Sequence, residues 1–169
     1  SCWKFMQVKF GGLENFGVTF SRLAPADFGL DWKKTYLDIL DDLKVRNLRL
    51  AAYWTEIEKG QGQYSFADLD WQVAEAEKRG AKIILGIGRK LPRWPECRIP
   101  EWASGLTEAE KQERILKYIA EAVNHYKDRE AVIIWQAQNE PFFRFFGAGC
   151  PPPDKKFLER EIALVRLLD

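Results

Sequence analysis

Hydrophobic and polar positions along the chain follow two rhythms in alternation. Short runs that are apolar at nearly every position are each followed by a stretch with apolar residues three and four apart. That is the pattern of a buried strand followed by an amphipathic helix. Phe16 to Ser21 (FGVTFS) reads as a first strand, and Asp31 to Lys44 as its helix, with Trp32, Tyr36, Ile39, Leu40 and Leu43 on one face. Asn47 to Tyr53 (NLRLAAY) reads as a second strand. Its helix starts near Ser65, with Asp68 placed to answer Ser65 as a cap, carries Leu69, Val73 and Ala76 inward, and stops at Gly80. Lys82 to Gly88 (KIILGIG) is the third strand, apolar on both faces. After a loop rich in Pro and Trp, Thr107 and Glu110 predict a capping box for a helix that buries Ile115, Ile119, Ala122, Val123 and Tyr126. Ala131 to Ala137 (AVIIWQA) is the fourth strand, and the last helix runs from about Lys155 to Leu168 with Phe157, Leu158, Ile162, Val165 and Leu168 inward.

Strands apolar on both faces, each followed by a helix, predict a parallel sheet covered by helices. An open doubly wound sheet and part of a (β/α)8 TIM barrel both satisfy that rule. The first strand-to-helix turn lacks the GxGxxG phosphate fingerprint, which weighs against a dinucleotide fold. The long, aromatic loops all follow strands and the short ones follow helices, the asymmetry of a barrel whose chemistry sits at the C-terminal ends of its strands. A complete barrel takes about 250 residues, so four units make half of one. Residues 1–15 read as a leader or linker and residues 16–169 as the four βα units.

Composition narrows the function classes. The chain has 169 residues, 46% hydrophobic and 30% charged, which excludes disorder as the default. Lys plus Arg number 26 and Asp plus Glu 25, so no bulk field draws the chain to nucleic acid or an anionic membrane. No apolar stretch approaches the roughly 20 residues that span a bilayer. Ser1 is not an initiator Met, so the chain reads as processed or cut from a longer one. Cys97 and Cys150 fall in the loops after the third and fourth strands, which are neighbours in a barrel. They could bridge or remain free thiols. A bridge would favour an extracytoplasmic or cell-surface location. No spacing of His, Cys or Asp points to a metal, and no cofactor is expected. His125 reads as a solvated cation near a helix C-terminus. Arg89, Lys90, Arg93 and Arg98 make a basic loop, suited to structural pairing or to acidic sugars rather than nucleic acid.

Trp135-Gln136-Ala137-Gln138-Asn139-Glu140-Pro141 leaves the last buried strand and runs past its end. An acid just beyond an apolar strand mouth would be partly desolvated, its pKa raised and its proton available to a leaving group. A solvated loop Glu is the alternative. Arg49 interrupts a run of Leu and Ala, and a buried guanidinium requires an anionic partner. Trp54, Trp94, Trp102, Trp135 and Phe142-Phe143 lie in or beside the loops that follow strands, where flat rings could stack on sugars; alternatively Trp94 and Trp102 pin the Pro-rich loop to the barrel, and Trp135, within the strand, belongs to the core.

"WQAQNEP" after a strand resembles the strand-four motif of clan A glycoside hydrolases, and the family 5 cellulase-like members most of all. "NLRLAAYWTEIEKGQGQYSFADLDWQVAEAEKRGAKIILGI" is similar to the strand-two to strand-three segment of the same family. The resemblance covers roughly Phe16 to Pro141. It implies a retaining enzyme on a (βα)8 barrel that acts on β-linked oligo- or polysaccharides. It makes Glu140 the general acid/base, Asn139 the ligand of the sugar 2-hydroxyl, and Arg49 the support of the catalytic carboxylate. Trp54 matches the Trp that follows strand two, and Trp94 and Trp135 join the expected substrate-binding set.

Retaining chemistry needs a second carboxylate about 5–5.5 Å from the first. In this clan it is a Glu at the end of strand seven, beyond this chain. Glu56, Glu58, Glu96 and Glu101 lie in loops or helix starts and do not match that motif. Half an active site would turn over little substrate by itself. The expected partner is therefore a missing C-terminal half-barrel or a second copy of the chain. A non-catalytic carbohydrate-binding or assembly half-barrel is the alternative reading.

Overall fold

The computed structural model describes residues 16–94, 96–145, 147 and 149–169. The expected leader or linker over residues 1–15 lies outside them. The elements run β1 (Gly17–Thr19), α1 (Trp32–Asp41), β2 (Asn47–Ala51), α2 (Trp54–Ile57), β3 (Glu58–Gly60), β4 (Gln63–Tyr64), α3 (Ala67–Glu77), β5 (Lys82–Ile87), α4 (Glu108–Tyr126), β6 (Val132–Ala137) and α5 (Lys155–Leu168). β1, β2, β5 and β6 form one sheet in that order, with every pair parallel. This is a segment of a parallel α/β barrel, with helices on one side of the sheet. β3 and β4 make a small antiparallel hairpin inserted after β2.

Residues paired across a parallel sheet share a face, so register sorts the side chains. Leu48, Ile83 and Val132 are aligned, as are Leu50, Leu85 and Trp135; this face meets the helices. Its core includes Ile83, Leu85 and Ile87 from β5, Val73 and Ala76 from α3, and Ile115, Ile119, Ala122 and Val123 from α4, all fully buried. Thr19, Arg49, Ile84 and Ile134 are aligned on the opposite face, with Ala51, Gly86 and Gln136 beyond them. The register shifts between Ile83 and Ile84, which leaves Ile133 as an extra residue opposite them. Ile133 and Ile134 are consequently 54% and 49% exposed. The fourth strand is thus not buried on both faces, as its apolar run predicts.

Local signals explain most element ends. Thr107 accepts from the Glu110 amide at 3.3 Å, and Glu110 accepts from the Thr107 amide at 2.8 Å, closing the capping box that starts α4. Past the end of α3, Gly80 takes φ +65°, and Ala81 N–H donates to the Ala76 carbonyl at 2.9 Å, a left-handed helix stop. α3 itself begins after Phe66, without a side-chain cap. The expected Ser65 cap does not form; the Ser65 N–H that Asp68 would answer instead closes the inserted hairpin on the Ile57 carbonyl at 2.8 Å. Leu43 lies beyond the end of α1, and it is exposed rather than inward. His125 places Nε2 2.7 Å from an Asp70 carboxylate oxygen and stacks on Phe66 at 4.2 Å. On α5 the buried residues are Phe157, Glu161 and Val165, so a carboxylic acid stands in a stripe that the spacing predicts to be apolar.

This packing predicts unequal costs of truncation. Leu85→Ala should destabilise the fold by about 2–5 kcal/mol through the cavity it leaves. Thr107→Ala should cost about 1 kcal/mol through its lost cap. Urea denaturation of the two variants checks both values.

Candidate active site

The site forms where β2, β5 and β6 end. Arg49 projects from the open face of β2, half-buried. Its Nε donates to Thr19 Oγ1 at 2.9 Å and its Nη1 to Asn139 Oδ1 at 3.3 Å. No carboxylate pairs with it among the described residues, so the anionic partner expected for it is not supplied there.

Asn139 is buried just past β6. Its Oδ1 accepts from Gln136 Nε2 at 3.4 Å as well as from Arg49, and its Nδ2 donates to Glu96 Oε1 at 3.0 Å. Glu96 comes from the loop after β5 and is buried too. Its second oxygen faces the Lys90 ammonium at 3.2 Å. Lys90 Nζ also donates to the main-chain carbonyls of Glu140 at 2.9 Å and Phe143 at 2.5 Å. Asn139 N–H donates to the Lys90 carbonyl at 2.6 Å. A continuous polar chain therefore runs Arg49–Asn139–Glu96–Lys90 and returns to the backbone of Glu140.

The backbone at Glu140 is unusual. Gln138 has φ +65° and Glu140 φ +45°, left-handed values that side chains other than glycine rarely adopt. Such strain persists only where surrounding contacts over-determine it, and it concentrates at functional sites. Gln138 N–H still donates to the Ile87 carbonyl at 2.9 Å, so the turn begins one residue past the paired strand. The Glu140 carboxyl is exposed, and the desolvation expected for it is not provided by the described residues.

The aromatic expectations divide. Trp94 is 57% exposed in the β5–α4 loop, with its ring available. Trp54 is 1% exposed: its indole N–H donates to Glu58 at 2.6 Å and its ring packs edge-on against Trp102. α2 and the hairpin fold back over it, so its sugar-stacking role is corrected to a core role. Trp135 shares the helix-side face with Leu50 and Leu85, and its indole N–H donates to Asp169 at 2.7 Å. The expected substrate contact from Trp135 is therefore corrected as well; its face is the wrong one for the mouth. Glu58 serves the core, Glu56 pairs with Arg22, and Glu101 lies exposed in a 3-10 turn.

The basic loop is spent on internal pairing. Arg89 is buried and meets Glu108 at 2.7 Å, Lys90 is paired as above, Arg93 pairs with Asp27, and Arg98 donates to the Trp94 carbonyl at 3.3 Å. Cys97 and Cys150 are joined in a disulfide with 5.1 Å between Cα atoms, fastening the loop after β5 to the loop after β6. Sequence reasoning missed Glu96 and Lys90 as site residues. A Glu inside a loop rich in Pro and Trp carries no local mark of burial.

The model of the cellulase family, glycosyl hydrolase family 5, matches residues 12–145. The chain belongs to that family. Solved structures of glycoside hydrolases share its fold. Endo-glycoceramidase II from Rhodococcus sp. is 18% identical with a TM-score of 0.65, over 90% of this chain and 46% of that one. The exo-beta-1,4-mannosidase Op5Man5 from Opitutaceae bacterium strain TAV5 is 15% identical with a TM-score of 0.68, over 90% of this chain and 29% of that one. Xylanase 10B from Thermotoga maritima is 18% identical with a TM-score of 0.58, over 91% and 46%. This family 5 chain thus spans less than half the length of each of these barrel enzymes. No curated protein sequence matches it.

Two measurements check the polar chain and the bridge. Glu96→Leu should cost about 3–5 kcal/mol in urea denaturation, because it leaves the Lys90 ammonium buried without its counter-charge. Thiol titration of the unfolded, unreduced protein should find at most one of the three cysteines free.

Proposed function

We propose that this chain supplies the acid/base half of a retaining glycosidase that cleaves β-glycosidic bonds in oligo- or polysaccharides. The observation that carries the reading is the hydrogen-bonded chain Arg49–Asn139–Glu96–Lys90 at the strand ends, with Glu140 next to Asn139 on a strained turn. Family membership supports a glycosidase; the role of each residue is our assignment.

In this reading the Glu140 carboxylic acid protonates the glycosidic oxygen as the bond to the anomeric carbon breaks. It then removes a proton from the water that attacks the glycosyl-enzyme intermediate. Asn139 holds the sugar 2-hydroxyl. Both of its heteroatoms are already oriented, and the second Nδ2 hydrogen remains for substrate after Glu96 has taken the first. Arg49 has N–H groups to spare beyond Thr19 and Asn139, and these suit a nucleophilic carboxylate carried outside this chain. Trp94 offers an exposed ring for a sugar face.

The rest of the barrel would cover the open sheet face around Ile84, Ile133 and Ile134 and pair with the free edge of β6. It would come from further sequence or from a second copy. The Cys97–Cys150 bridge supports folding in an oxidising compartment. No helix among the described residues is long and apolar enough to cross a membrane.

Glu140→Gln in the complete protein tests the assignment. Hydrolysis of substrates with poor leaving groups should fall by about 10²–10⁴-fold, the usual contribution of a general acid. Unchanged turnover would overturn the role of Glu140. Oligosaccharide binding without release of reducing sugar by the wild type would favour the non-catalytic reading.

A further inference from the structure

Glu161 is the most deeply buried acid of the described residues, at 0% exposure in the middle of α5. Its neighbours one turn away on the same helical face, Phe157 and Val165, are apolar. An apolar residue would pack there without the penalty of burying a carboxyl group. The carboxyl group makes one specific contact: it accepts a hydrogen bond from the Gln138 side-chain amide. Its other oxygen lies against the main chain of Gly88, where an added Cβ would come within 2.9 Å of it. Gly88 takes φ +97°, which strains any residue with a side chain, and an added Cβ would have to displace the Glu161 carboxyl.

Gln138 is the first of the left-handed residues that lead to Glu140. Its main-chain N–H is held by Ile87, that of Asn139 by Lys90, and the Glu140 carbonyl by the Lys90 ammonium. The Gln138 side chain anchors this turn in the helix layer, and Glu161 is its anchor. We propose that Glu161 is a positioning residue: by gripping Gln138 from α5, it holds the left-handed turn that presents the Glu140 carboxyl group. This rests on the reading of Glu140 as the acid/base. Rate follows from such placement, since a misplacement of about 1 Å can cost roughly 10²-fold.

The surroundings of Glu161 agree with a group kept for a purpose. Arg89 from the β5–α4 loop attracts its ionised form, and the Glu161 charge acts on the buried Tyr118 hydroxyl of α4. Glu108 at the start of α4 draws on the same Arg89. Burial outweighs Gln138 and Arg89 and pushes the Glu161 carboxyl up to about 7. The folded state therefore binds a proton that the unfolded chain releases at its ordinary value of 4.5. Stability from this group is fully present below that value and is lost as pH rises through about 7.

The test reads hydrogen exchange at the main-chain amides of Gln138 and Asn139, which hold the turn to Ile87 and Lys90, in the complete protein without substrate. Glu161→Leu and Gln138→Leu should each speed exchange there by about tenfold or more while β5 amides keep their rates. Glu161→Gln retains the acceptor oxygen, so it should keep wild-type exchange and lose the pH-dependent fall in stability. In hydrolysis, Glu161→Leu should lower kcat about tenfold with KM within about twofold, and Glu161→Gln should restore kcat. Unaltered exchange in Gln138→Leu, a variant that leaves α5 intact, would overturn the proposal. So would Glu161→Gln behaving like Glu161→Leu. Because exchange needs no turnover, it decides on the anchor even where Glu140→Gln leaves hydrolysis intact and the acid/base assignment falls.

Discussion

A lysine held at 5% exposure has to give its ammonium partners, and Lys90 finds them on two pieces of chain, its own loop after β5 and the turn after β6. It pairs with the Glu96 carboxylate and donates to the carbonyls of Glu140 and Phe143. A buried charge without such partners would cost more than most single packing contacts contribute. Lys90 therefore cannot be buried unless the loop after β5 and the turn after β6 close on each other. The disulfide between Cys97 and Cys150 enforces the same closure covalently. From that junction the rest follows: Glu96 is fixed, Glu96 orients the Asn139 amide, and Asn139 accepts from Arg49 two strands away.

The sheet makes this junction useful because its two faces are unequal. The helix side is fully packed and rigid, with Leu85, Ile87, Ile119 and Val123 excluded from solvent. The other side carries Thr19, Arg49 and Ile134, and it is open. Polar groups at the ends of the strands thus stand on a rigid base while facing unoccupied space. Preorganised donors on such a base cost no reorganisation when a charged transition state forms.

The fold was largely legible in the sequence, and the reason is physical. Strand and helix periods follow from which residues touch the core, and α4, with Ile115, Ile119, Ala122 and Val123 at helical spacing, could be read residue by residue. Gly80 and Thr107 act through their nearest neighbours, so their signals are local and were readable too. Ser65 was misread because a hairpin competed for its amide. The substrate contacts expected of Trp54 and Trp135 fail for another reason, and the core alternative holds for Trp135. Proximity to a strand end does not say which face a ring takes, and register and the inserted hairpin decide that. Glu96 and Glu161 were invisible as site residues because a buried acid looks like any surface Glu until its distant partner is known. Glu140 was legible as an acid past an apolar strand mouth, but the roles of Asn139 and Glu140 came only from a pattern shared with a family, and they stay with the proposed function.

The site divides its labour in a way that follows from this geometry. Position is built into the chain: left-handed backbone at Gln138 and Glu140, main-chain bonds to Ile87 and Lys90, and a side-chain grip from α5. Environment is not, since the Glu140 carboxyl is exposed here. A general acid needs both, because its proton must be within reach of the leaving oxygen and still bound at working pH. On the proposed function, the surfaces that close over the open face of the sheet must therefore supply desolvation as well as the second carboxylate.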